Sequence, residues 1–151
     1  MIPTWLVLGT ITFLMSFLIN RLNASEVSWF NRLVRPRWLT FERIIPFIWI
    51  FIFTTLVASA TLVWDNGSKS LPLMGLYLLL QSVTLSYTPV ICKLHSLKAG
   101  VMIGLVGFIL SLAIAVLVFP INNGAFLLML PYLFWSPIGT VITWLMIPLN
   151  R

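Results

Sequence analysis

The sequence predicts an all-α membrane protein, a bundle of five transmembrane helices with the N-terminus outside and the C-terminus in the cytoplasm. Three observations carry this. The 151-residue chain is 60% hydrophobic and only 8% charged, whereas soluble domains average about 25% charged residues. Five apolar segments, at about 2–20, 44–64, 71–92, 99–119 and 125–147, are each long enough to cross a hydrocarbon core of roughly 30 Å at about 1.5 Å per residue. With five spans the loops alternate sides, and Arg21, Arg32, Arg35, Arg37, Arg43, Lys93, Lys98 and Arg151 then share one side while Lys69 stands alone on the other. The positive-inside rule makes the crowded side cytoplasmic. Four or six spans would mix these charges, and the segments lack the two-residue alternation of barrel strands.

The elements follow in order. The first segment has no basic residue ahead of it and an arginine, Arg21, behind it, which fits a spanning helix rather than a cleaved signal peptide. Residues 20–43 are polar and arginine-rich. Within them SEVSWFNRL reads as a short amphipathic helix capped by Ser25 with Ser28 and ended by Pro36, with RPRWLTF extended. The second span tolerates Pro46 in its first turn, and DNGSK at 65–69 reads as a tight polar turn. The third carries Gln81, Thr84, Ser86, Tyr87 and Thr88 and is expected to end near Pro89. Those side chains suit either hydrogen bonds between helices or the lining of a cavity. Gly100, Gly104 and Gly107 in the fourth span permit close helix approach, within the chain or across a homodimer. Pro131 and Pro137 predict a bend around a cavity in the fifth. The whole reads as one domain, 1–151, with no internal repeat of the kind that builds many transporters.

The missing residues narrow the function. Glu26, Glu42 and Asp65 are the only acids and all lie outside the spans, as do every Lys, Arg and His. Proton relays and ion paths are marked by ionisable groups inside the membrane, so a proton-coupled pump is not indicated. A single histidine, His95, rules out paired histidine ligands to haem or metal within one chain and leaves hydrolase triads unsupported, so no catalytic residue and no metal site is assigned. The lone Cys92 forms no internal disulfide. The basic balance is explained by membrane orientation, with no need for nucleic acid.

What remains is aromatic. Trp5, Trp29, Trp38, Trp64 and Trp144 fall near helix ends, where an interfacial belt is expected. Trp49 and Trp135 lie deeper, and an indole N–H away from the headgroups needs a partner. Trp49 shares a helix face with Phe53 at i, i+4, and Tyr132 with Trp135 at i, i+3. Two such pairs suit the walls of a flat apolar pocket, or plain bundle packing.

The spacing of these anchors resembles the TspO/MBR family of tryptophan-rich sensory and translocator proteins. WFNRLVRPRW carries Trp29, Leu33, Pro36 and Trp38. Trp49 follows eleven residues after Trp38, Phe53 takes a tyrosine position, and LVW closes at Trp64. PYLFW supplies Pro131, Tyr132 and Trp135, and ITWLMIPLN brings Asn150 into register. The chain departs from the family pattern at Thr40 and Phe41, across Leu85–Pro89, and at Thr143, Trp144 and Pro148. The resemblance implies a five-helix bundle whose pocket opens toward the cytoplasm under the arginine-rich loop, and the positive-inside bias fits a bacterial plasma membrane, with an organelle as the alternative. It further implies a membrane sensor or carrier with a hydrophobic small-molecule partner, a tetrapyrrole above all. The ligand would be held by Trp38, Trp49, Phe53, Tyr132 and Trp135, with Gly139 leaving room and Arg32, Arg35, Arg37 or Arg43 pairing porphyrin carboxylates at the rim. No cofactor is implied beyond porphyrin as ligand. Two alternatives stand beside binding: light-dependent porphyrin degradation, as in some bacterial members, and a structural or regulatory membrane protein without the ligand.

Overall fold

The computed structural model describes residues 2–66 and 69–151, and among them every regular element is helical. Six α-helices follow in order: α1 Thr4–Ile19, α2 Ala24–Asn31, α3 Ile45–Asp65, α4 Leu71–Leu94, α5 Leu97–Val118 and α6 Asn123–Leu149, with a single 3-10 turn at Glu42–Ile44 leading into α3. Four of these are long and apolar enough to cross a membrane, and a fifth span is obtained when α1 is counted with α2 across their 92° bend. The Gly67–Ser68 part of the expected DNGSK turn lies outside the described residues.

The long helices close into a ring. Helix α1 packs on α3 and α4, α3 on α6, α6 on α5, and α5 back on α4. Thr4 Oγ1 donates to Asp65 Oδ1 at 2.7 Å, joining the start of α1 to the end of α3. At the opposite end Trp29 meets His95 edge-on, with ring centroids 4.8 Å apart. There too the Asn150 side chain accepts from Val34 N (2.7 Å) and donates to Val34 O and Met146 O (both 2.9 Å). The loop after α2, the α4–α5 turn and the end of α6 thus share one end of the bundle.

Lipid tails are as apolar as leucine, so helix association needs close packing and polar ties. Both are present. A Cβ added at Gly107 would meet the Tyr132 hydroxyl at 2.6 Å, one at Gly104 would strike Thr140, and one at Gly100 would strike Ile91. The glycine stripe is therefore used within the chain, bringing α5 against α4 and α6. The polar side chains of α4 reach across the ring: Thr12 Oγ1 donates to Gln81 Oε1 at 2.7 Å, Thr84 and Tyr132 share a 2.8 Å hydrogen bond, and Tyr87 bonds Thr143. Buried Ser59 ties three helices at once, donating to Ala125 O and bonding the Tyr77 hydroxyl, both at 2.7 Å.

Four local expectations are corrected. Helix α4 continues through Pro89 to Leu94, because packing from α1 and α5 holds the helix on both sides of one missing N–H. The cap of α2 is not Ser25 with Ser28. It is Asn23, whose N–H donates to the Glu26 carboxylate at 2.8 Å, the reciprocal arrangement that satisfies free donors at a helix start. RPRWLTF is not extended: Leu39 N donates to Pro36 O at 3.0 Å and Thr40 N to Trp38 O at 2.9 Å, folding the segment into turns. Of the five tryptophans expected in the belt, Trp5, Trp38 and Trp144 are exposed, but Trp64 packs on the core and Trp29 on the cluster around Leu33.

Two predictions follow from these ties. Ser59→Ala leaves the Tyr77 hydroxyl unpartnered and removes the second hydrogen bond to the Ala125 carbonyl, which the α6 ladder still engages, a cost of about 1–3 kcal/mol, and should lower the midpoint of thermal unfolding in detergent. Adding Tyr77→Phe should recover part of that loss, and a strictly additive double variant would show that the pair is not coupled. Asn150→Ala should raise hydrogen exchange and protease cleavage across residues 32–44 while the long helices keep their protection.

Candidate functional site

The interior holds two apolar clusters. One runs through α3–α6 around Leu56, Leu80, Ile114 and Met129. The other, at the end nearer the loop, gathers Leu33, Ile91, Leu97, Ile142 and Met146. Between them lies a cavity of about 330 Å³. Trp49 and Pro46 of α3 form one wall, and Tyr132, Trp135, Ser136 and Gly139 of α6 another. Thr84, Tyr87 and Thr88 of α4 and Gly104 of α5 close the back, and Phe30, Arg35, Leu39 and Glu42 of the loop lie over the mouth.

The aromatic geometry follows from helix period and ring order. The Trp49 and Tyr132 rings meet edge-on at 6.2 Å across the α3–α6 contact. Trp135 touches Phe41 of the loop edge-on at 6.4 Å, and Phe41 in turn lies 6.5 Å from Trp38. Buried Trp135 Nε1 has no hydrogen-bond partner among the described residues. Such a donor, shut away from water, favours an acceptor by about 1–3 kcal/mol. A Cβ built on Gly139 meets nothing within 4 Å, so this position leaves open space one turn beyond Trp135.

Of the sequence-predicted residues, the structure brings Trp49, Tyr132, Trp135 and Gly139 to this cavity. Phe53 lies elsewhere. Its ring stands 6.1 Å from Trp49, but it faces a groove between α1, α3 and α4, beside Gly9, Thr12 and Phe13. One turn along α3 is enough to carry it past the α6 contact to the α1 side. That groove, of about 690 Å³, shares Pro46, Trp49, Thr84, Tyr87 and Thr88 with the central cavity. Trp38 is exposed and reaches the site only through Phe41.

The four arginines separate. Arg35 alone lines the cavity, and it is already committed: it pairs with Glu42 at 2.5 Å, donates to Leu33 O at 2.8 Å and lies over the Phe30 ring at 5.4 Å. Arg32 lines a different pocket, while Arg37 and Arg43 are exposed and line neither cavity. Sequence reasoning missed Leu39 and Phe41, which belong to no periodic pattern, and the Arg35–Glu42 pair, whose seven-residue separation signals contact only once the loop is known to turn back. Among the described residues no three metal-ligating side chains converge. The site can stack flat apolar groups and present one ion pair at its mouth.

No curated protein matches the chain. A model of the TspO/MBR family matches residues 4–148, nearly its whole length. The chain belongs to the TspO/MBR family, and so to the membrane proteins that sense or transport hydrophobic ligands.

Proposed function

We propose that this protein is a membrane sensor or carrier that binds a tetrapyrrole, or a similarly flat hydrophobic ligand, in the cavity between α3 and α6. The observation that carries the reading is an apolar cavity walled by the rings of Trp49, Tyr132 and Trp135, the last with a buried indole N–H that has no partner among the described residues. A porphyrin presents a flat π-face to such walls and nitrogen and carboxylate acceptors to such a donor. The cavity volume of about 330 Å³ falls at the small end of the range for ligand sites, roughly 300–1,000 Å³. A ring of porphyrin size would therefore extend into the mouth beneath the loop. There Arg35 would exchange Glu42 for a ligand carboxylate, a charge-assisted pair of the kind guanidinium forms well.

A second reading, light-dependent degradation of the bound porphyrin with dissolved dioxygen as the oxidant, draws on the run Trp38–Phe41–Trp135, whose rings follow one another at 6.5 and 6.4 Å from the surface to the cavity. Bleaching of bound porphyrin under illumination, abolished in Trp135→Phe, would distinguish it from binding alone. The ligand-free structural role draws no support from an open cavity.

Quenching of tryptophan fluorescence by protoporphyrin in detergent should be saturable at roughly micromolar ligand and weaken about tenfold in Trp49→Phe or Trp135→Phe. Quenching that never saturates would remove the tetrapyrrole. Gly139→Leu, which fills open space without a backbone clash, should weaken binding while leaving thermal stability near wild type. Glu42→Gln should free Arg35 and tighten protoporphyrin several-fold but leave its dimethyl ester unchanged. Equal effects on acid and ester would show that Arg35 does not meet the carboxylate.

A further inference from the structure

At the loop end of the bundle, outside the aromatic cavity, lies a second, more polar pocket of about 480 Å³. Arg32 enters it from the end of α2, His95 and Lys98 from the α4–α5 turn, and Arg151 from beyond α6, with Ser96 and Asn150 between them. No acid lines it. The chain has only three acids, and each is engaged elsewhere. Glu42 pairs with Arg35, Glu26 accepts from Asn23 N, and Asp65 accepts from Thr4 at the far end of the bundle. Among the described residues Arg35–Glu42 is the one ion pair, so these cations have no carboxylate partner.

The placement of Lys98 sharpens the point. Basic residues near the ends of α4 and α6 offset the negative ends of those helix dipoles, which explains Lys93 and Arg151 without a ligand. Lys98 is different. It sits in the first turn of α5, a helix with no acid in that turn, where the dipole is positive and a cation is disfavoured. Arg32 ends α2 and answers to no long helix. His95, the one non-glycine residue with positive φ (47°) among the described residues, is held in the left-handed conformation with its ring against Trp29. Lys98, which its own helix disfavours, and Arg32, at the C-cap of α2, face one pocket from two separate segments.

We propose that this pocket binds the phosphate of an anionic phospholipid headgroup. The source is a lipid because of what surrounds it. The pocket lies where the long helices end, at headgroup level for a chain that spans the bilayer, and exposed Leu94 and Leu149 at the ends of α4 and α6 offer acyl chains an apolar flank. Basic pockets between helix ends on the positively charged side are suited to such headgroups. Asn150 gives the site a consequence. It lines this pocket and also fastens Val34 of the loop over the aromatic cavity, so a bound headgroup would brace the lid from below.

Native mass spectrometry of the detergent-purified protein tests this, with phosphatidylglycerol and phosphatidylcholine of identical acyl chains. Phosphatidylglycerol should be retained about fivefold or more over phosphatidylcholine, a preference of the size that one or two basic contacts supply. It should vanish in Arg32→Gln/Lys98→Gln and persist in Arg21→Gln, which removes an exposed cation of the same end that does not line the pocket. If the double variant does not purify in folded form, Lys98→Gln alone decides. A preference that survives the pocket variants, or falls equally in Arg21→Gln, overturns the site in favour of diffuse surface charge. Stabilisation of the wild type by inorganic phosphate without any lipid preference overturns the lipid assignment and identifies a free anion as the occupant.

Discussion

Everything in this bundle depends on a constraint set by its solvent: inside hydrocarbon, burying apolar surface does not draw helices together. The helices instead meet where glycine lets backbones approach and where hydroxyls and amides find partners across the gap. Gly100, Gly104 and Gly107 bring α5 within reach of Ile91, Thr140 and Tyr132, and Ser59, Gln81, Thr84 and Tyr87 supply ties among α1, α3, α4 and α6. Each tie satisfies a polar group that would otherwise be stranded in lipid. The same ties set the cavity. Tyr132 is held by Thr84 and Tyr87 bonds Thr143, so the rings that line the space cannot swing inward and fill it.

Against that background Trp135 stands out. The other buried side-chain donors and acceptors in the described residues are matched, while its Nε1 is not. An unmatched buried donor in a cavity-lining side chain is a cost to the protein as it stands, and a rotation of the indole toward the cavity would let a ligand acceptor satisfy it. Stability and binding are thus opposed at one atom, and the polar ties around it carry the cost.

Much of this was legible in the sequence, for physical reasons. Long apolar runs and one-sided basic residues are strong signals, because hydrocarbon tolerates so few alternatives. Depth and helix period left Trp49, Tyr132 and Trp135 either on a pocket wall or in plain bundle packing, and it was the family resemblance that pointed to the cavity they line. Phe53 shows the limit of that reasoning. It shares an approximate face with Trp49, yet which neighbour a face meets depends on ring order, and ring order is written in no local pattern. The turned loop, the Asn23–Glu26 cap of α2 and the passage of α4 through Pro89 were illegible for a related reason: each is decided by what packs beside it, and local preference yields.

The loop that begins as an orientation signal ends as a structural part. Its charges cannot all serve a ligand, because Arg35 is neutralised by Glu42 and braced on Phe30, Leu33 and Asn31 before any ligand arrives. That arrangement favours a lid held shut by its own ion pair over an open ring of cations waiting for carboxylates. Leu97 lines the aromatic cavity on one side and the basic pocket on the other, and Asn150 ties the lid to the end of α6. The two pockets are therefore adjacent, separated by one side chain, and the loop is fixed to the end of α6 by two hydrogen bonds from Asn150. The basic pocket where α4 and α6 end and the aromatic cavity within the bundle are thus neighbours built on one loop, with Leu97 as their common wall and Asn150 holding the loop in place over both.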